Sequence, residues 1–141
     1  MRLGRRLGID YGKTRVGIAL SDDQALVCTP LITLKNDSKL FSKISQLIDE
    51  YQPVCVYIGK PKHLSGIEGQ TVEEVAKFVA RFSESFQIPV KLIDERMTSK
   101  SAERRLREAG KDSRSQLGLV DQLAAMAILE LGIEIDKRGP S

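Results

Sequence analysis

The sequence is poor in the side chains that most metal and acid–base sites use: it has a single histidine, His63, and two cysteines, Cys28 and Cys55. One imidazole excludes a His–His acid–base pair and leaves a zinc site short of ligands. His63 itself is read as an exposed loop residue. Both cysteines lie in apolar segments, where a small buried thiol is expected rather than a disulfide or a metal pair. No apolar run approaches the roughly 18 residues that a membrane span requires, and the arginine-rich start has no secretory hydrophobic region. The expected setting is therefore cytoplasmic, with no membrane partner. The stretch from Gly59 to Gly66 lacks the closing Gly-Lys-Ser/Thr of a phosphate-binding P-loop. Internal repeats and low-complexity segments are absent too. At 141 residues the chain has room for one domain and one site, expected over residues 1–135, with residues 136–141 as a loose tail.

What the sequence does contain is uneven charge. The net charge is only +3, yet residues 1–15 and residues 96–114 each carry a net +4, against −5 for the rest of the chain. The second window holds Arg96, Lys100, Arg104, Arg105, Arg107, Lys111 and Arg114. Brought together by folding, two basic zones would form a footprint for a polyanion such as nucleic acid; apart, each is a solvated face.

Hydrophobic periodicity predicts strands over residues 6–10 and 16–20 joined by a Gly12 turn, and a third strand over 29–34. A helical stripe from Leu40 to Tyr51 follows a cap at 36–38 and stops at Pro53. Residues 54–58 read as a buried parallel strand. Thr71 and Glu74 have capping-box spacing and open the next predicted helix after a long loop over 59–70. A strand over 90–93, a helix after Thr98 or Ser99 ending at Gly110, and a last helix over 117–131 with Gly132 as terminator complete the order. The implied class is α/β: a mixed five-stranded sheet, a three-strand antiparallel meander plus two parallel strands, with flanking helices.

Three carboxylate positions resist a plain structural role. Asp10 sits on the first strand, where aspartate is a poor strand former, although it also suits a turn cap before Tyr11-Gly12. Asp94 and Glu95 leave a strand at the carboxyl edge of the sheet, where open α/β sheets place ligands; the alternative is a solvated strand end. Asp121 shares the apolar stripe of the last helix, four residues after Leu117 and three before Ala124. A carboxylate there needs a bound cation or an arginine partner. Convergence of Asp10, Asp94 or Glu95, and Asp121 would suit Mg²⁺ or Mn²⁺, hard cations that prefer oxygen ligands and make gathered carboxylates compatible. Two such ions about 4 Å apart activate water and stabilise a leaving oxygen in attack on phosphorus. A phosphodiester matches the flanking basic zones. Lys60, Lys62 and His63 are placed to hold a backbone phosphate. Arg15 and Arg96 are candidates for phosphate contact or for pairing with one of the carboxylates, and Arg104 and Arg105 are the expected grip on nucleic acid.

Four ordered motifs carry a resemblance: Gly8-Ile-Asp-Tyr-Gly-Lys-Thr-Arg-Val-Gly-Ile-Ala19, the loop from Gly59-Lys-Pro to Gly66-Ile-Glu-Gly69, Asp94-Glu-Arg-Met-Thr-Ser99, and Val120-Asp-Gln-Leu-Ala-Ala-Met-Ala-Ile-Leu129. Together they resemble the YqgF family of Holliday-junction-resolvase-like nucleases. The resemblance implies a ribonuclease H-like fold, a divalent metal, Mg²⁺ or Mn²⁺, and a hydrolase processing the 5′ end of pre-16S ribosomal RNA in the bacterial cytoplasm, with ribosomal particles among its partners. By motif, Asp10, Glu95 and Asp121 are the expected acidic triad and Asp94 their neighbour. Cleavage of branched DNA and non-catalytic RNA binding on the same fold stay open, as do monomer and homodimer. An ATPase of the actin and sugar-kinase type opens with a similar hairpin but needs a second lobe that this length does not supply.

Overall fold

The computed structural model describes residues 2–60, 66–94 and 116–139. Its elements follow in the order β1 (Arg6–Tyr11), β2 (Arg15–Ser21), β3 (Cys28–Lys35), α1 (Leu40–Tyr51), β4 (Cys55–Lys60), α2 (Gly66–Ser85), β5 (Val90–Asp94) and α3 (Gln116–Lys137). The strands make one mixed sheet in the spatial order β3-β2-β1-β4-β5. The first three pair as an antiparallel meander, while β4 runs parallel to β1 and β5 parallel to β4. This is the expected architecture.

Strand alternation divides the side chains between two layers. Leu7, Ile9, Val16, Ile18, Val56 and Ile58 face α1 and α2, where Leu40, Ile44, Val75, Phe78 and Phe82 complete one core. Ala19, Cys55, Tyr57 and Ile93 face α3 and pack with Ala125, Ile128, Leu129 and Ile133. Ile128 and Leu129 are essentially fully buried, each contributing about 1.5–3 kcal/mol by leaving water. The Gly12 turn is tied to the start of α1 by the Asn36 amide, which donates to the Gly12 carbonyl at 2.7 Å. Asp37 accepts from the backbone N–H of Lys39 at 2.9 Å, and α1 ends at Gln52, in the left-handed region with φ 51°, before Pro53.

Three expected boundaries move. The helix expected from Thr71 starts at Gly66, because Ile67, Glu68 and Gln70 sustain helix and the capping-box pair falls inside it. Gly132 does not terminate α3; it is buried where the helix crosses the Tyr57 ring, and a Cβ there would come within 2.6 Å of Tyr57 Cγ. The glycine serves a close approach rather than a stop. The loose segment expected from residue 136 is displaced as well, since α3 continues through Asp136 and Lys137 and Asp136 is bound to the sheet. The helix expected after Thr98 or Ser99 lies outside the described residues.

Candidate functional site

Parallel pairing makes the carboxyl ends of β1, β4 and β5 coincide. Ile9 is in register with Ile58, Gly59 with Ile93, and Lys60 with Asp94. Asp10, Lys60 and Asp94 therefore mark one edge of the sheet, the edge at which open α/β sheets bind ligands.

Asp10 is two residues beyond Gly8, which lies against Ala125 and Leu129 of α3, so Asp10 is on the α3 face. Its cross-strand partner is Gly17. Directly over Gly17 lies Asp121: a Cβ on Gly17 would collide with the Asp121 backbone carbonyl and come within 2.8 Å of the Asp121 Cβ. Only glycine admits the helix this close. The first turns of α3 are fixed by β3, where the Thr33 hydroxyl donates to the Gly118 carbonyl at 2.5 Å and accepts from the Gln122 side-chain amide at 3.2 Å. Thr33 is the residue paired with Gly17 on β3. Asp10, Gly17 and Thr33 thus form a row across three strands, with Asp121 seated on it.

Asp121 has a direct partner. The Arg15 Nε donates to Asp121 Oδ2 at 2.6 Å, with the arginine side chain 42% exposed and the aspartate 15%. Of the two roles open to Arg15, the structure shows the pairing with a carboxylate, and it supplies the arginine partner that Asp121 requires on an apolar stripe.

Asp94 shares the edge but not the face. Lys91 and Ile93 point to the α3 side, where Lys91 binds Asp136 and Ile93 joins the α3 core. Alternation places Asp94, like its neighbour Lys60, on the α1/α2 side. The structure thus brings Asp10 and Asp121 together, with Arg15 beside them, while Glu95, Lys62, Arg96, Arg104 and Arg105 lie outside the described residues. Among the described residues no group of three or more His, Cys, Asp or Glu side chains could hold a metal ion.

Residues that sequence reasoning missed secure the helix at its other end. Arg6, only 4% exposed in its side chain, donates to the Tyr57 hydroxyl at 2.6 Å and to Asp136 at 3.1 Å. Tyr57 in turn donates to Asp136 Oδ2, and Lys91 reaches Oδ1 at 2.6 Å. Burial alone would push the Asp136 carboxyl up. The hydrogen bonds from Lys91 and Tyr57 and the charges of Lys91 and Arg6 outweigh it and hold the group below its ordinary value. Burial, then the carboxylate it donates to, pushes the Tyr57 phenol well above its ordinary value, so it remains a donor. The one signal in the sequence was Asp136 falling four residues after Gly132, on the helix stripe that faces the sheet.

The RuvX family, described as Holliday junction resolvase, matches residues 4–134. The chain belongs to this family. A protein of Mycobacteroides abscessus named "Putative pre-16S rRNA nuclease" is 41% identical over 139 residues, covering 96% of this chain and 84% of that one. One of the same name from Cutibacterium acnes is 40% identical, covering 98% and 87%. The resemblance read from the four motifs is borne out, because RuvX and YqgF designate the same grouping. Among solved structures, Thermus thermophilus RuvC in complex with a Holliday junction substrate superposes with a TM-score of 0.69 at 14% identity, covering 96% of each chain. The fowlpox virus resolvase in complex with Holliday junction DNA gives 0.54 at 13% identity, covering 94% and 98%. The RuvX chain therefore has the ribonuclease H-like fold of these resolvases. Among the described residues no helix is long and apolar enough to cross a membrane.

Proposed function

We propose that the chain is a metal-dependent nuclease that hydrolyses phosphodiester bonds, acting on the 5′ end of pre-16S ribosomal RNA. The observation that carries this reading is the seating of Asp121 on Gly17, the cross-strand partner of Asp10. It puts acidic oxygens from the two ends of the chain on one face of one sheet edge.

The donor chemistry suits Mg²⁺ or Mn²⁺. Carboxylates are hard oxygen ligands, and both cysteines sit at the opposite end of the sheet, Cys55 paired with Arg6 and Cys28 with Ser21. Asp10, Asp121 and, in this reading, Glu95 hold the cation, while Asp94 stands at the same edge on the opposite face of the sheet. A bound divalent ion there supplies Lewis acidity toward a phosphoryl oxygen and a water of lowered pKa. The protein's own residues do the rest. Gly17 and Thr33 fix the height and rotation of Asp121, β1 pairing fixes Asp10, and Arg15 at the exposed rim offers a planar guanidinium to a phosphate. Lys60, Lys62, Arg96, Arg104 and Arg105 extend the backbone contacts along the strand. The named rRNA relatives at 40–41% identity support RNA as substrate and ribosomal particles as the place of action, with a cytoplasmic setting to match. The family description favours branched DNA as the second reading.

Incubating the protein with a ribosomal RNA precursor, single-stranded RNA and a four-way DNA junction, each with and without Mn²⁺, decides among these. Metal-dependent cleavage of the precursor, lost in Asp10→Asn, Glu95→Gln and Asp121→Asn by at least about 10²-fold, is the expected result. Cleavage without metal, or undiminished cleavage by the Asn variants, excludes the mechanism. Precursor binding with no cleavage of any substrate makes the chain a binding module.

A further inference from the structure

We propose that Arg15 links substrate binding to cation binding: it neutralises Asp121 in the free protein and releases it when a phosphate of the nucleic acid takes the guanidinium. The inference rests on the reading of Asp10 and Asp121 as cation ligands and concerns how that site is controlled.

The two members of the pair differ in freedom. Asp121 is held by its backbone against Gly17 and by the neighbouring Gly118 and Gln122 contacts to Thr33. Arg15 has a fixed backbone at the start of β2, paired with Lys35, but its side chain is long and, at 42%, the more exposed member of the pair. When the pair opens, the guanidinium moves and the carboxylate stays. An approaching phosphate reaches the exposed guanidinium more readily than Asp121, which is only 15% exposed.

Competition follows from the atoms involved. Arg15 engages Asp121 Oδ2 at 2.6 Å, so a divalent ion drawing on that oxygen displaces the guanidinium or shares the oxygen with it. A phosphate offers arginine the same bidentate geometry as a carboxylate, which makes transfer from Asp121 to phosphate a near-balanced exchange. The consequence is reciprocal: nucleic acid raises the affinity for the cation, and the cation raises the affinity for nucleic acid. A site so built stays poorly loaded until substrate is present.

Mn²⁺ binding, followed by electron paramagnetic resonance of the free ion, tests this in wild type, Arg15→Ala and Arg15→Lys. Each is measured with and without a 2′-O-methyl RNA oligomer whose integrity is checked on a gel. Without RNA, Arg15→Ala is expected to bind Mn²⁺ about fivefold tighter than wild type or more. RNA is expected to tighten wild-type binding by a similar factor and to leave Arg15→Ala much less affected. Arg15→Lys, which keeps the charge but loses the fork, falls between, whereas simple charge repulsion would leave it like wild type. Circular dichroism confirms folding, and the lysine variant carries the test if the alanine variant fails to fold. Equal Mn²⁺ affinity and equal RNA coupling in wild type and Arg15→Ala, with Asp10→Asn and Asp121→Asn abolishing binding, overturn the role of Arg15 and leave the cation site standing. Mn²⁺ binding indifferent to both Asn variants removes the cation site, and the inference with it.

Discussion

At the scale of residues, two ion pairs show why partner burial decides what a charge contributes. Asp136 is 13% exposed and faces Arg6 at 4%, whereas Asp23 is 78% exposed beside Arg5 at 40%. Removing Asp136 leaves Arg6 charged, buried and short of an acceptor, in addition to an Arg6 Nε that already has no hydrogen-bond partner among the described residues. Asp136→Ala is expected to lower stability by about 3 kcal/mol. Asp23→Ala should change it by less than about 1 kcal/mol, and urea titration of both variants checks the contrast. The carboxyl of Asp136 is held below its ordinary value in the fold. Its contribution is therefore complete above the unfolded value near 4 and disappears as pH falls through the lower folded value. The wild-type urea midpoint should drop on acidification from about pH 5 to about pH 2 more steeply than that of Asp136→Asn; parallel curves would show that the clasp carries no proton linkage.

At the scale of elements, the contact that matters is α3 on β2. Gly17→Ala places a Cβ against the backbone of Asp121, and backbone, unlike the tip of a flexible side chain, cannot swing away. The helix must lift, at about 1–3 kcal/mol, and Asp121 lifts with it. For Gly118, by contrast, the nearest atom among the described residues to an added Cβ is Thr33 Oγ1 at 3.6 Å. Gly118→Ala should be tolerated or stabilising by up to about 1 kcal/mol through helix propensity. Thermal unfolding together with Mn²⁺ titration separates the two: Gly17→Ala is expected to weaken both, Gly118→Ala neither. Sequence periodicity located α3 and placed Asp121 on its apolar stripe, because one carboxylate four residues after Leu117 and three before Ala124 stands out at helical spacing. It misjudged Gly132, because a glycine that ends a helix and one that admits a neighbouring ring look identical without the ring.

At the scale of the whole molecule, the sheet collects at one edge what the chain keeps apart. Asp10 and Asp121 were legible since each breaks the pattern of its own element. The Arg6, Tyr57 and Asp136 clasp was not, since its members are 51, 79 and 130 positions apart and each alone passes for ordinary surface or core. The basic window over residues 96–114 belongs to this scale too, as it concerns the field that a long polyanion meets. Replacing Arg104 and Arg105 by alanine should flatten the dependence of log K for single-stranded RNA on log salt by about 1.4, at about 0.7 per lost phosphate contact. An unchanged slope places the grip elsewhere.

Arg15 and Asp121 are 106 positions apart, and this spacing bears on synthesis. A polypeptide growing from its amino end lays down the hairpin with Asp10 and Arg15 first, and the helix that caps it follows only after those 106 positions. Until then the ribosome carries a product with half a blade. A nuclease so assembled is kept inert until that helix is made, and copies terminated before it are released already blunt.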